Sequence, residues 1–155
     1  GLPTSEGTTF QEGAYQCSRE LFTKAIQKAG VNLASVRVVE GWYEDSLTDD
    51  VKANHEIKKA ALIHVDSDLY VSAKQVLHFI QDLLQPGSII VFDNWHTFEW
   101  AGEVGDLQQL GERRAFEEWT SSPRFDEFYD SVSGKAFIMR EDTWTPATLS
   151  SSPHV

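Results

Sequence analysis

Two short polar clusters carry the side chains of this sequence that are best suited to chemistry. Asp66-Ser67-Asp68 follows one apolar run, and Asp93-Asn94 follows the next. If the two runs are adjacent parallel strands, both clusters lie at the carboxyl edge of one sheet, where open α/β sheets bind their ligands. Oxygen atoms of Asp66, Asp93 and Asn94 would suit Mg²⁺, Ca²⁺ or Mn²⁺. The pattern predicts an open metal site that could activate a bound hydroxyl group and orient it for attack.

The same side chains have ordinary structural roles that compete with this hypothesis. Asp and Ser after a strand often cap the next helix, and this role is favoured for Ser67 and Asp68. For Asp66 and Asp93 the metal hypothesis is favoured, because each directly follows a buried strand and a helix cap needs only one of them. His64 lies inside an apolar run and is expected to be a hydrogen-bonded core histidine rather than a ligand.

Aromatic residues lie near both clusters. Trp42 follows Gly41 at a predicted strand end, where its ring could cover a flat cofactor base, although packing in the core is favoured from the residues alone. Trp95, Phe98 and Trp100 could line the mouth of a substrate site, hold a loop in place or face a partner subunit. The residue types alone leave these alternatives open.

A β-α-β unit is predicted to position the two polar clusters. Residues 60–65 and 88–92 are almost wholly apolar, as in strands of a parallel sheet covered on both faces. Between them, apolar residues recur with helical spacing over 69–84, and Pro86-Gly87 ends that helix. The predicted fold class is therefore α/β.

The flanking segments extend this sheet. Ser18 is placed to cap a short amphipathic helix. Residues 36–39 are predicted to form a buried strand that ends in a tight turn. Near the end of the chain, 125–132 and 135–139 flank a Ser-Gly pair typical of a two-residue hairpin turn. An antiparallel hairpin is thus expected to end the sheet.

Composition sets the limits of the function. A chain of 155 residues with 41% hydrophobic content can build one globular core. The net charge of -11 argues against binding to nucleic acid, and no apolar run is long enough to cross a membrane. The single cysteine excludes an intrachain disulfide. We expect a cytoplasmic protein with one domain over 1–144, which the resemblance described below implies is partial, and a flexible tail over 145–155.

Four segments of the chain resemble the macrocin O-methyltransferase family, whose members methylate sugar hydroxyl groups. Residues 1–3 are similar to the end of that family's "DSFEGLP" segment, and 39–47 are similar to "GWFEDTL". Residues 64–72 resemble "HIDSDLYEST", and 84–95 resemble "LVPGGIIIFDDY". Because the segments occur in the same order at consistent spacing, chance similarity is a poor explanation.

The resemblance implies a Rossmann-like class I methyltransferase fold, S-adenosylmethionine as methyl donor, a divalent metal such as Mg²⁺, and a small hydroxylated acceptor, for example a sugar with two adjacent hydroxyl groups. Asp66 would be a metal ligand and the candidate general base, with Asp93 and Asn94 as the other ligands. The family usually has Asp where this chain has Asn94, and the lost negative charge should weaken metal binding. The positions that the resemblance places beside the cofactor are Gly41, Trp42, Ser67 and Asp68.

The resemblance also implies that part of the fold precedes Gly1. In a strand order of 3-2-1-4-5-7-6, the first two strands would come before this chain, together with the glycine turn and the acidic strand end that hold the methyl donor. We therefore expect residues 1–155 alone to be inactive, and to be poorly stable or to associate, for example as a homo-oligomer, through the exposed edge of 60–65.

Two other functions compete with methyl transfer. Asp66-Ser67-Asp68 is also a DxD pattern, which in a metal-dependent glycosyltransferase holds Mn²⁺ against a nucleotide-sugar diphosphate. A non-catalytic half-domain that docks onto a partner through its open sheet edge is the third hypothesis. The second polar cluster and the Gly41-Trp42 segment favour methyl transfer.

Overall fold

The computed structural model describes residues 1–97, 110–120 and 124–141. The predicted tail, Phe98 and Trp100 lie outside these residues. The elements, in chain order, are α1 (Arg19–Lys28), a short 3-10 helix (Leu33–Ser35), α2 (Tyr43–Ser46), α3 (Asp49–Asn54), β1 (Leu62–Val65), α4 (Tyr70–Ile80), β2 (Ile89–Phe92), α5 (Gly111–Trp119), β3 (Phe125–Asp130) and β4 (Lys135–Met139).

The four strands form one mixed sheet in the order β1-β2-β4-β3. β1 and β2 are parallel, with Leu62 opposite Ile89 and Val65 opposite Phe92. β4 is antiparallel to both β2 and β3. This arrangement confirms the predicted α/β class, the β-α-β unit and the terminal hairpin, and its order matches the 4-5-7-6 half of the implied sheet. The hairpin turn contains four residues, 131–134, rather than two, because Asp130 still pairs with Lys135.

The core lies between the sheet and helices α4 and α5. Ile90 and Phe92 of β2 are fully buried. The ring of Phe92 lies 5.1 Å from that of Phe116 on α5 and 5.3 Å from that of Trp95. Trp95 also packs 4.9 Å from the ring of Phe137. Of the alternatives open for Trp95, the structure therefore places its ring in the core, where it holds the segment after β2.

Two predicted buried strands are less buried than expected. Residues 36–39 are extended but form no strand, and Val38 and Val39 are exposed. No strand among the described residues lies beside them, so their backbone has no ladder to join. β1 begins only at Leu62, which is 64% exposed, although Val65 is buried. The prediction that 60–65 is covered on both faces is therefore wrong for the face that carries Leu62 and His64.

Helix α1 forms as predicted but lies on the surface. The Ser18 hydroxyl accepts a hydrogen bond from the Leu21 amide at 3.2 Å, and Gly30 ends the helix with a φ of 82°. Leu21 and Phe22 on its apolar face remain exposed, since no described residue covers them. None of the helices in the described ranges has the length and hydropathy needed to cross a membrane.

The N-terminal loop is anchored beside the sheet. Leu2 and Phe10 are buried in a small cluster with Leu69. The carboxylate of Glu6 accepts hydrogen bonds from the amides of Tyr70 at 2.8 Å and Val71 at 2.7 Å. Helix α4 has no cap from its own neighbouring side chains. Glu6 therefore caps α4 from a distant part of the chain, and the prediction that Ser67 or Asp68 does so is wrong.

Replacing Glu6 by Ala should destabilise the natural protein by about 1–2 kcal/mol, because two amides at the positive end of α4 lose their acceptor. Chemical denaturation followed by circular dichroism measures this change. Glu12 is an exposed residue of the same loop, and Glu12→Ala is the matched control. Equal stability of the two variants would contradict the capping role.

Candidate active site

A cavity of about 1050 Å³ opens at the carboxyl edge of β1 and β2. The N-terminal loop, α2 and the start of α4 form its other walls. Its lining includes every residue predicted for the site, namely Gly41, Trp42, Asp66, Ser67, Asp68, Asp93 and Asn94. The structure thus brings together side chains from three separate segments. This follows from the parallel pairing of β1 and β2, which puts both strand ends at one edge.

The carboxylates of Asp66, Asp68 and Asp93 lie close enough at this edge for electrostatic repulsion between them. Burial, followed by the charges of Asp66 and Asp93, raises the pKa of Asp68 to about 6. Burial and then the charge of Asp66 also raise the pKa of Asp93, although His64 opposes the shift. Like charges held close together favour a bound cation or a proton. The electrostatics of the cavity therefore suit a positively charged ligand.

Two oxygen atoms beside the cavity are buried without a hydrogen-bond donor among the described residues: Asp93 Oδ1 and Asn94 Oδ1. The Asn94 Nδ2 donates to Thr97 Oγ1 at 3.0 Å, which leaves Oδ1 as the free end of the amide. His64 Nε2 lies 3.8 Å from Asp93 Oδ1, too far for a hydrogen bond. Because an unsatisfied buried acceptor is costly, both atoms are suited to bind a cation or to accept a hydrogen bond.

The donor set is smaller than that of many metal sites. In residues 1–97, 110–120 and 124–141, no group of three or more His, Cys, Asp and Glu side chains could hold a metal ion. The predicted set consists instead of the carboxylates of Asp66 and Asp93 and the amide of Asn94. His64 does not add to it, and its side chain is 56% exposed on the same face of β1 as Leu62. The prediction of a core histidine is therefore wrong, because no described residue covers that face.

Glu112, at the start of α5, is a buried residue of the site that the sequence analysis missed. It is 0% exposed. Its Oε1 accepts from the Ser67 amide at 2.9 Å and from the Ser67 hydroxyl at 3.2 Å, and its Oε2 accepts from the Asn94 amide at 3.1 Å. Burial raises the pKa of Glu112 to about 8, although these hydrogen bonds lower it. In the sequence, Glu112 stands in a helix whose segment, GERRAFEEW, is rich in charged residues. Nothing in this local pattern distinguishes the buried Glu112 from the more exposed charged residues around it.

Comparison with known proteins relates this geometry to a family. Residues 3–108 match the family model described as macrocin-O-methyltransferase (TylF). The chain belongs to this family. A search among curated proteins found no match.

Solved structures confirm the fold of the TylF-family chain. It superposes on a structure of the O-methyltransferase NovP with a TM-score of 0.63 at 17% identity, covering 79% of this chain and 45% of that one. An apo structure of CalS11, a TDP-rhamnose 3′-O-methyltransferase of calicheamicin biosynthesis, gives 0.56 at 24% identity, covering 84% and 55%. The TylF-family chain spans about half the length of these proteins.

In the structure of the TylF-family chain, Trp42 lies on the cavity wall and not in the core. Its ring is 51% exposed on the cavity wall, so the expectation from the residues alone that it packs in the core is wrong. Gly41 has a φ of 134°, and a Cβ atom there would lie 3.2 Å from Ser46 Cβ. Another residue would therefore strain the turn that presents Trp42. The next residue, Tyr43, was also missed; burial and the charges of Asp66, Glu112 and Asp68 raise its pKa.

Gly134 lets the hairpin turn of the TylF-family chain pass close to the end of β2. A Cβ atom on Gly134 would lie 2.6 Å from the Phe92 carbonyl oxygen and 3.1 Å from Asp93 Cα. Since both contacts are with backbone, Gly134→Ala should displace the turn or the Asp93 segment and cost about 1–3 kcal/mol. Thermal unfolding of the natural protein measures this, with Ser133→Ala in the same turn as control. An unchanged melting temperature would contradict the close approach.

Proposed function

We propose that the protein containing this chain is an S-adenosylmethionine-dependent O-methyltransferase that uses a divalent cation to methylate a small hydroxylated acceptor. The observation that supports this most directly is the pair of buried, unpartnered oxygens on Asp93 and Asn94, which lie in the same cavity as Asp66 and Trp42. Family membership supports the methyl-transfer chemistry. It favours that reaction over the glycosyltransferase hypothesis for Asp66-Ser67-Asp68.

The cation would be held by oxygen atoms from both strand ends. Asp66 follows β1 directly, and Asp93 and Asn94 follow β2, so the ligands approach from one side and leave coordination positions for acceptor oxygens. Mg²⁺ or a similar ion, when bound, would lower the pKa of an acceptor hydroxyl and orient it. Two carboxylates and one amide carry less charge than three carboxylates, and we therefore expect modest affinity.

The methyl donor would occupy the side of the cavity lined by Gly41, Trp42, Ser67 and Asp68. The exposed ring of Trp42 offers a flat apolar face for adenine. S-adenosylmethionine supplies a methyl group, whose bond to sulfur breaks as the acceptor oxygen bonds to its carbon. Asp66 would take the proton from that acceptor hydroxyl, which leaves a methyl ether and S-adenosylhomocysteine.

A sugar with adjacent hydroxyl groups is the acceptor class that we propose. Two neighbouring hydroxyls can both reach a cation that has open positions, so that one is held while the other reacts. CalS11 is described as a TDP-rhamnose 3′-O-methyltransferase, which supports this class by fold similarity alone. The cavity volume of about 1050 Å³ lies at the upper end of the range usual for small-molecule sites.

The test uses the full natural polypeptide with S-adenosylmethionine, Mg²⁺ and a panel of nucleotide-linked sugars. We expect a mass increase of one methylene unit in an acceptor, and loss of that product when EDTA removes the cation. Sugar transfer from a nucleotide-sugar without methylation would instead establish the glycosyltransferase hypothesis. Full methyl transfer in the presence of EDTA would refute the role of the cation.

The hypothesis of a non-catalytic module is tested separately. Replacement of both Asp66 and Asp93 by Ala in the full natural polypeptide should remove activity if the site is catalytic. Unchanged function would favour the module. We also propose that residues 1–155 alone transfer little methyl and bind S-adenosylmethionine weakly. Micromolar binding by calorimetry, or a cooperative high-temperature melt of the monomer, would contradict that proposal.

A further inference from the structure

Glu112 links the two strand ends that carry the site. Its Oε1 accepts from Ser67, directly after Asp66, and its Oε2 accepts from Asn94, directly after Asp93. Each carboxyl oxygen therefore accepts a hydrogen bond from a different strand end. A carboxyl group keeps acceptor lone pairs on both oxygens whether ionised or protonated, so it can do this, whereas a residue with only one acceptor oxygen cannot.

The backbone pairing of the two strands ends just before this point. The last bond between the strand ends runs from the Asp93 amide to the Val65 carbonyl, and at 3.3 Å it is long. Beyond it, both strand ends line the cavity, and the amides of Ser67 and Asn94 both donate to Glu112. The two strand ends are thus joined here through the Glu112 side chain, which accepts one hydrogen bond from each of them, and not by a direct backbone hydrogen bond.

Helix α5 holds Glu112 at a defined position. Ala115 and Phe116 of the same helix are buried, and the Phe116 ring stacks on Phe137 with 4.4 Å between ring centroids. The carboxyl group is thereby tied to the core of the sheet rather than to a mobile surface. Burial of an ionisable group costs stability unless hydrogen bonds offset it, and for the fully buried Glu112 those hydrogen bonds come from the two strand ends.

We propose that Glu112 is a positioning residue that fixes the distance between Asp66 and Asp93 by holding the backbone that follows each of them. This inference rests on the proposed function, since it concerns the cation bound between those carboxylates. Glu112 itself touches neither cation nor acceptor in this role. It acts through the amides of Ser67 and Asn94.

The variant Glu112→Gln tests the link with little change in size. Its side chain has one carbonyl oxygen, so it can accept from only one strand end, and its NH₂ group then faces the amide of the other. We expect the Kd for Mn²⁺, measured by electron paramagnetic resonance on the full natural polypeptide, to rise about 10–100-fold, as for other residues that orient metal ligands. The metal concentration for half-maximal activity should rise in parallel, with a much smaller change in kcat at saturating metal.

A matched control lies on the same helix. Glu117 is half-exposed and pairs with Arg113 at 3.0 Å, so Glu117→Gln makes the same chemical change away from the strand ends. Its Kd for Mn²⁺ should equal that of the wild type. Ser67→Ala removes only the 3.2 Å hydroxyl contact, and we expect a smaller rise in Kd, about two- to threefold.

The outcomes separate this inference from the proposed function. If the wild type binds no Mn²⁺, the metal-assisted function itself fails. If the wild type binds Mn²⁺ and folded Glu112→Gln binds it equally well, the role of Glu112 is refuted while the function stands. If Glu112→Gln does not fold, Glu112→Asp decides, because it keeps two acceptor oxygens but shortens their reach to the amides of Ser67 and Asn94. An unchanged Kd for Mn²⁺ in folded Glu112→Asp would refute the positioning role.

Discussion

Asp66→Asn should lower kcat/KM for methyl transfer by at least about 10³-fold, because it removes the proposed base for the acceptor proton and the negative charge of a proposed metal ligand. The substitution keeps the size of the side chain, and Asp66 packs into no part of the core. We therefore expect the melting temperature to change little. Initial rates on the full natural polypeptide, with product measured by mass spectrometry, give the comparison.

Asp93→Asn separates the two roles assigned to Asp66. Asp93 is proposed only as a metal ligand, so a high concentration of Mn²⁺ should restore much of the activity of Asp93→Asn but little of that of Asp66→Asn. Asp49→Asn is the control. The Asp49 side chain is almost fully exposed, and its ion pair with Lys52 is therefore expected to contribute little to stability. Equal rescue of both site variants would contradict a role for Asp66 as the base.

Phe92→Ala should lower the free energy of unfolding by about 3–5 kcal/mol, because it empties the centre of the core. The Phe92 ring is fully buried and contacts Trp95, Phe116 and Phe137. Phe92 also directly precedes Asp93, so the cavity left behind should loosen the proposed metal site. Urea denaturation of the full natural polypeptide measures the stability, and Mn²⁺ binding measures the effect on the site.

The control for this substitution lies in the same sheet. Phe128 on β3 is 61% exposed, and Phe128→Ala should change the free energy of unfolding by no more than about 0.5 kcal/mol. The two variants remove the same side chain and differ in burial alone. Similar losses in both would show that packing around Phe92 is not what stabilises this end of the sheet.

Local patterns in the sequence were sufficient to predict the elements that position the site. The apolar runs before Asp66 and Asp93, with helical spacing between them, correctly predict β1, α4 and β2. Parallel pairing of those strands then brings both polar clusters to one edge, as the cavity confirms. These features follow from the sequence because strand and helix periodicity, and the direction of a β-α-β unit, depend on residues close together in the chain.

Contacts between distant segments were not predictable in this way. Glu6 caps a helix 64 residues further along the chain, and Glu112 joins two strand ends from a third segment. The exposure of Leu62 and Val38 was missed for the same reason, because burial depends on what lies beside a strand and not on its own composition. The roles of Asp66, Asp93 and Asn94 stay predictions of the family resemblance.

The sequence by itself determined the α/β order, the family resemblance and the residue types at the carboxyl edge of the sheet. Only the tertiary structure decided how those residues are held. Ser67 and Asp68 have the types expected of helix caps, yet Glu6 takes that role, while Ser67 bonds to Glu112. Hydrogen-bond partners are chosen by proximity in three dimensions, and a buried carboxyl group acquires its function from the amides that the fold places around it.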